Sequence, residues 1–225
     1  HYLDCGTSGG VWGERNGFSI MVGGEAKIFK KVEPVFRALA APSPNPSHPP
    51  AGRAGKGRGK QKGKFPPPGG EGKGGGYSYG LVGKSGAGHF VKMVHNGIEY
   101  GMMEAIAEGF AVLDKSGFKL NLAQVAKIWR QGSVVSSWLV ELAQDIFEKE
   151  DFARVVGFVK HTGEGEWTVK VAKRLAVDVR VIADALAVRK ESGEKAAQKL
   201  LRNKILALLR NRFGGHEVLK LKKGK

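Results

Sequence analysis

The sequence predicts a mainly α fold, in which an all-helical C-terminal domain follows the last strands and the last helix of an α/β domain. Before residue 42, short apolar runs and one amphipathic run alternate with Gly-rich turns. After Gly88, apolar residues recur almost everywhere at helical spacing. A Pro/Gly/Lys-rich stretch separates these two parts, so we expect three segments at residues 1–41, 42–76 and 77–225.

The first segment carries the elements that end a Rossmann-type domain. HYLDCGTSGG at 1–10 predicts a strand and a Gly-rich turn, FSIMVGG at 18–24 a second strand, and residues 25–41 a helix. The Gly-rich turn and helix N-terminus that receive a dinucleotide's pyrophosphate are missing from the sequence. We therefore expect a fragment that lacks most of a nucleotide-binding domain.

The second segment, residues 42–76, is composed of Pro, Gly and Lys with almost no apolar side chains. It predicts a disordered insertion because it cannot bury enough surface to become ordered. The net charge of +16 first suggests a nucleic-acid or membrane partner. Seven Lys/Arg and one acid fall between Arg53 and Lys73, however, so one stretch supplies much of that charge. No apolar run has transmembrane length, and we expect neither a membrane nor nucleic acid as partner.

The third segment predicts a series of helices. They are expected at 89–115, 122–130, 133–148, 168–175, 178–189 and 195–213, with Asn121 capping the second and Gly214 and Gly215 ending the last. The stretch between 148 and 168 is expected to be irregular.

One helix face in this segment carries the side chains that suit chemistry. At 100° per residue, the stretch from Gly86 to Glu108 places a cation, an imidazole, an amide and a carboxylate together, with a tyrosine at the edge: Lys92, His95, Asn96, Glu99 and Tyr100. Such a set can hold a polyhydroxylated anion and move protons on it. The alternative is an exposed polar face.

Two glycines interrupt the same helix. Gly97 and Gly101 each cost about 1 kcal/mol relative to Ala in a helix interior. Their presence predicts that another part of the protein approaches this helix closely.

The segment GAGHFVKMVHNGIEYG resembles the substrate-domain motif of the 6-phosphogluconate dehydrogenase family. The wider β-hydroxyacid dehydrogenases share only a shorter G-x-G-x-x-x-K pattern with an Asn nearby, whereas HNGIEYG is much more specific. YLDCGTSGGVWG, HTGEGEWTV, VIADALAVRKES and LLRNRFGGHEV resemble further segments of this family. Excluding residues 42–76, the resemblance spans nearly the whole chain.

The resemblance implies oxidative decarboxylation of 6-phosphogluconate to ribulose 5-phosphate in the pentose phosphate pathway, with NADP or NAD accepting hydride and no metal. Lys92 would be the general base on the C3 hydroxyl, and Glu99 the acid that protonates C1 of the resulting enol. His95 and Asn96 would orient the hydroxyls and the nascent carbonyl. Lys92 and Asn96 would also border the nicotinamide.

The resemblance also implies how the substrate is held. The turn Ser8, Gly9 and Gly10 would bind its carboxylate, and Tyr100, Arg189 and Arg210 its phosphate. Read from the residues alone, the first set is an ordinary glycine turn and Arg189 a helix-terminal arginine.

His216 would bind a substrate hydroxyl or the phosphate. In this family the tail that carries Arg210 and His216 reaches the neighbouring subunit's site, which implies a homodimer. Thr162 stands where the long form of the family has a phosphate-binding lysine, and this resembles the short, bacterial-type form.

Two classes of alternative stay open. The chain could be a non-catalytic substrate-binding or dimerisation remnant, or a nucleic-acid binder that uses residues 42–76; within the enzymes, another β-hydroxyacid dehydrogenase is the rival. Cys5 is the only cysteine, which excludes a disulfide framework and a cysteine metal cluster and suits the cytoplasm. We expect little NAD(P)-dependent turnover from this chain alone.

Overall fold

The computed structural model describes residues 1–41, 77–160 and 163–221. The chain divides into two compact units between Gly88 and His89. A small α/β unit is followed by a helical unit, which confirms the predicted fold class. The proposed insertion 42–76 and Thr162 lie outside the described residues.

The first unit is a three-stranded sheet with short helices. It contains strands β1 (Leu3–Ser8), β2 (Ser19–Gly24) and β3 (Tyr79–Gly83), a 3-10 helix (Gly10–Trp12), and helices α1 (Gly13–Asn16) and α2 (Ala26–Leu39). The strand order is β1-β2-β3, with β1 antiparallel and β3 parallel to β2. The units divide later than the expected boundary at 77, because β3 pairs with β2.

The core of this unit lies between the sheet and α2, where Ile20, Val22, Phe36 and Ala40 are buried. Asp4 is also buried, and its carboxylate accepts a hydrogen bond from the Gly86 backbone N–H in the turn after β3. This buried carboxylate therefore ties β1 to that turn.

The second unit contains the longest helix and five others among the residues that the structure describes. They are α3 (Ala87–Lys115), α4 (Leu122–Trp129), α5 (Trp138–Lys149), α6 (Glu164–Arg174), α7 (Arg180–Glu191) and α8 (Leu201–Gly214). No helix in the described parts of the chain combines the length and the apolar character needed to cross a bilayer.

Three of the predicted helix boundaries were wrong. α5 begins five residues later than expected, because the Ser137 side chain accepts the Val140 N–H and caps the helix. α6 begins at Glu164, inside the stretch expected to be irregular. The last predicted helix is broken at Leu200, whose backbone is extended, so α8 starts only at Leu201.

Helix α8 is the centre of the helical unit. Its residues 205–210 are all buried, and the apolar ones join the main core with Met103 and Phe110 of α3 and Ile146 of α5. A helix segment that is buried on all sides is usually apolar, and a charged residue in it is rare unless it has a partner or a ligand. Arg210 is therefore an exception that needs an explanation.

Candidate functional site

The predicted polar face of α3 forms a hydrogen-bonded cluster. The Lys92 ammonium donates to Asn96 Oδ1 at 2.6 Å and lies 3.2 Å from His95 Nδ1. His95 Nδ1 is also 3.2 Å from Asn96 Oδ1. The three side chains therefore hold one another one helical turn from the start of the second unit.

The two groups expected to move protons have shifted pKa values. Burial lowers the pKa of Lys92, and the carboxylates of Glu99 and Glu164 offset part of that change. Burial raises the pKa of Glu99, while Lys92, His95 and nearby arginines oppose the rise. Both shifts favour the neutral forms, and a neutral lysine can accept a proton while a neutral carboxyl group can donate one.

Tyr100 and Arg189 form a buried stack behind this face. The guanidinium carbon of Arg189 lies 3.3 Å from the centroid of the Tyr100 ring. Tyr100 is 4% exposed and Arg189 2%. Among the described residues, the Tyr100 hydroxyl and Arg189 Nε are buried without a hydrogen-bond partner. A buried guanidinium with unused donor capacity suits an anionic ligand.

The second arginine comes from α8 and contacts the tail. Arg210 donates to the Lys160 carbonyl oxygen, and its other terminal nitrogen lies 3.3 Å from His216 Nε2. Burial, together with the charge of Arg189, lowers the pKa of Arg210 to about 10. Burial and then Arg210 lower the pKa of His216, which favours a neutral imidazole.

These tail residues were expected to serve a neighbouring subunit. Within one chain, Arg210 is coupled electrostatically to Arg189, Tyr100 and Glu99, and the expected role in a neighbouring subunit stays a prediction. The reason for this coupling is that α8 is buried in the same helical unit as α3 and α7. Within one chain, Arg210 therefore lies within electrostatic reach of residues predicted on α3 and α7.

Helices α6 and α7 explain the two glycines in α3. A Cβ on Gly97 would lie 2.6 Å from Thr168 Cγ2, and one on Gly101 would lie 3.1 Å from Val181 Cγ1. Thr168 Oγ1 also donates to the Met93 carbonyl at 2.7 Å. The predicted close approach is confirmed, and α6 is the element that makes the closest contact.

Sequence reasoning missed Glu164 at the start of α6. Its carboxylate raises the pKa of Lys92, Arg210 and His216, so it lies within electrostatic reach of all three. The signal was an acid between the two glycines of HTGEGEWTV, a segment that was read as an irregular loop.

Ser8, Gly9 and Gly10 lie in the first unit, where β1 ends and the 3-10 helix begins. Gly9 has φ +139° and Gly10 has φ +54°, values that L residues with side chains rarely adopt. The glycines are therefore required by the backbone of this turn, and the expected carboxylate-binding role stays a prediction.

Comparison with protein families identifies both units. The family described as "6-phosphogluconate dehydrogenase, C-terminal domain" matches residues 88–221. The family described as "NAD binding domain of 6-phosphogluconate dehydrogenase" matches residues 1–48.

Two curated proteins are similar over 96% of the chain. A Bacillus subtilis protein, YqeC, provisionally named a 6-phosphogluconate dehydrogenase, is 39% identical over 217 residues. The NAD(+)-dependent, decarboxylating 6-phosphogluconate dehydrogenase of Haloferax volcanii is 38% identical over 219 residues. The chain spans 61% of the length of each.

Solved structures show the same fold. The 6-phosphogluconate dehydrogenase of Plasmodium falciparum, studied without ligand, with NADP+ and with 6-phosphogluconate, superposes with a TM-score of 0.66 at 26% identity, over 85% of this chain and 36% of that one. A 3-hydroxyisobutyrate dehydrogenase from Salmonella typhimurium has a TM-score of 0.57 at 18% identity, over 91% of this chain and 59% of that one. The second likeness concerns the fold alone.

Proposed function

This chain belongs to the 6-phosphogluconate dehydrogenase family, and from that premise we propose that its helical unit binds 6-phosphogluconate and serves its oxidative decarboxylation to ribulose 5-phosphate and carbon dioxide. The family is one of oxidoreductases, and its relatives are named for this substrate. The chain covers only part of their length, so the whole reaction belongs to the proposal.

One observation carries the proposal. Arg189 and Arg210 are 2% and 5% exposed, and in the described parts of the chain neither forms an ion pair with a carboxylate. Burying two cations without a direct ion pair is costly unless an anion binds them. The phosphate of the substrate supplies such an anion, and the buried Tyr100 hydroxyl is a further donor group next to Arg189.

Lys92 and Glu99 then carry the proton transfers. Lys92 takes the proton of the C3 hydroxyl when C3 is oxidised, and its lowered pKa supports a neutral amine as base. The β-keto acid so formed loses carbon dioxide, and Glu99 protonates C1 of the resulting enol. The raised pKa of Glu99 supports a protonated carboxyl group in that role.

Neighbouring side chains orient the substrate. His95 and Asn96 hydrogen-bond the hydroxyls and the nascent carbonyl. This role is supported by their contacts with the Lys92 ammonium, which place all three side chains together. His216 binds a hydroxyl or the phosphate beside Arg210. Residues 8–10 would bind the substrate carboxylate through the turn after β1.

NAD or NADP is the hydride acceptor that the family implies. The described residues do not fit its pyrophosphate, because a carboxylate lies at each of the two places where a parallel strand leads into a helix. Glu25 occupies the N-cap of α2, and Asp4 accepts the Gly86 N–H before α3. We therefore assign proton transfer and substrate binding, and no hydride step, to the described residues.

A homodimer is also part of the proposal. Helix α3 exposes an apolar seam at spacings of four and three residues: Ile98, Met102, Ala105, Gly109 and Val112. This spacing is typical of a helix that packs against another helix. The electrostatic coupling within one chain supports a site that uses Arg210 and His216 in cis. A cytoplasmic location stays a prediction from the single cysteine.

Calorimetric titration tests the binding. We expect 6-phosphogluconate to bind the purified chain at least roughly tenfold more tightly than gluconate, and Arg189→Lys to remove most of that difference, because a lysine lacks the planar fork of donors. Arg180→Lys is the matched control on the same helix, since the Arg180 side chain is 85% exposed. Equal affinity for both sugars, or equal effects of the two substitutions, would contradict the phosphate site.

Isotope exchange separates an enzyme from a binding remnant. Glu99 at C1 predicts that the chain exchanges a C1 hydrogen of ribulose 5-phosphate with D2O, a step that NMR follows without any hydride transfer. Glu99→Gln is expected to stop this exchange while 6-phosphogluconate still binds. Binding without exchange in the wild-type chain would favour the remnant.

A further inference from the structure

The proposed anion site lies among basic side chains from several helices. Lys92, Arg189 and Arg210 come from three different helices, and Arg189 lowers the pKa of Arg210. Arg189 and Arg210 are two buried cations that repel each other, so the ligand-free protein needs negative charge nearby. Glu99 supplies part of it from α3, where its own raised pKa limits its charge.

Glu164 is held next to this cluster by the way α6 meets α3. A Cβ on Gly165 would lie 2.4 Å from Tyr100 Cε2, so the backbone beside Glu164 rests directly on the ring that carries Arg189. The Thr168 hydroxyl fixes the next turn of α6 to the Met93 carbonyl. The left-handed Gly163, with φ +103°, turns the chain into the helix at this point.

The charge of Glu164 acts on groups from three elements. It raises the pKa of Lys92 on α3, Arg210 on α8 and His216 in the tail. The general preference for an acid at a helix N-terminus does not account for these effects of Glu164. Glu166 lies in the same first turn of α6, yet it pairs with Lys170 at 3.1 Å and Lys190 at 3.9 Å.

We propose that Glu164 is the counter-charge of the ligand-free anion site and that its carboxylate competes with the ligand's phosphate for Arg210 and His216. This inference rests on the proposed phosphate site. Glu164 stabilises the empty cluster, and it sets an upper limit on the affinity for dianions. Glu164 therefore weakens the binding of free phosphate more than the binding of a sugar phosphate, whose other groups also contact the protein.

Inorganic phosphate is the probe that tests this role. In calorimetry at low salt, Glu164→Gln is expected to bind phosphate roughly three- to tenfold more tightly than the wild-type chain, because one opposing charge is removed. Glu166→Gln removes an acid from the same turn of α6 and is expected to leave phosphate affinity unchanged. Thermal unfolding of both variants shows that they fold.

The outcomes are distinct. A gain in Glu164→Gln alone supports the proposal. A loss would mean that Glu164 helps to hold the ligand, equal gains in both variants would reduce the effect to net charge, and no change would remove the role; each of these overturns the inference. The proposed function fails separately if Arg210→Lys leaves both phosphate and 6-phosphogluconate binding unaltered.

Discussion

Glu104 is a buried carboxylate on the helix that carries the predicted site. It lies one helical turn after Tyr100 and is 7% exposed. Its Oε1 lies 4.0 Å from Arg202 Nη1. Burial raises its pKa to about 7, with Arg202 and Arg189 opposing the shift and Glu108 and Glu191 adding to it. Glu104 is therefore protonated in part of the protein at neutral pH.

Replacing Glu104 with Gln should change how stability depends on pH. A folded pKa of about 7, above the ordinary value of 4.5, gives a contribution to stability that is full below pH 4.5 and is lost as the pH rises through 7. Gln cannot ionise, so the free energy of unfolding of Glu104→Gln relative to wild type should rise from pH 5.5 to 8 by roughly 1–2 kcal/mol, after allowance for solvent screening. Chemical denaturation at several pH values measures this.

Glu108→Gln provides the control for Glu104. Its side chain is 52% exposed and lies 3.5 Å from the same arginine, Arg202. A pH-dependent difference of the same size in both variants, or a difference for Glu104→Gln that does not vary with pH, would show that burial of this carboxylate is not the cause.

At the residue scale, the sequence predicted contacts that depend on local spacing and missed those that depend on tertiary packing. The contacts of Lys92 with His95 and Asn96 follow from helical separations of three and four residues. The stack of Arg189 on Tyr100 and the position of Glu164 join residues far apart in the chain. No periodicity encodes such pairs.

At the scale of elements, the contact between α3 and α6 positions the site. A methyl group at residue 97 would overlap Thr168, whereas a Cβ at Gly109 of the same helix would meet nothing within 4 Å. We predict that Gly97→Ala destabilises the chain by roughly 1–3 kcal/mol through overpacking, while Gly109→Ala stabilises it by about 0.5–1 kcal/mol. Denaturant unfolding compares the two directly.

The same pair also reports on the site. Because α6 carries Glu164 and contacts Tyr100 through Gly165, its displacement in Gly97→Ala should alter 6-phosphogluconate binding. Gly109→Ala should leave that binding unchanged. If both substitutions stabilise the chain by similar amounts, α6 does not press on α3 as the structure indicates.

Elements defined by periodicity were predicted well, and irregular ones were not. The apolar pattern and the Asn121 cap gave α4 to within one residue of its end. Strand β3 was missed because its sequence, YGLVG, has two glycines and follows a Gly-rich run. The break at Leu200 was missed because its neighbours continue a helical pattern and only their packing interrupts it.

At the scale of the whole molecule, the fold class was predictable because the two units differ in periodicity before and after Gly88. Assembly is harder to predict, because an apolar helix face that packs inside one chain and one that packs against a second copy have the same sequence pattern. The seam on α3 illustrates this: Met103 and Phe110 face the core, while Met102 and Val112 are 43% and 69% exposed.

A charge in the seam should separate the proposed homodimer. Val112→Lys places a cation on an apolar helix face, where a second copy would have to bury it, so we predict a monomer at micromolar concentration while the wild-type chain is a dimer. Val134→Lys makes the same change at a residue that is fully exposed and outside the seam, and should stay dimeric. Light scattering after size-exclusion chromatography gives both masses. Because Arg210 and His216 act within one chain in this proposal, the Val112→Lys monomer should still bind 6-phosphogluconate; a monomer that has lost binding would instead place the tail in a neighbouring subunit's site.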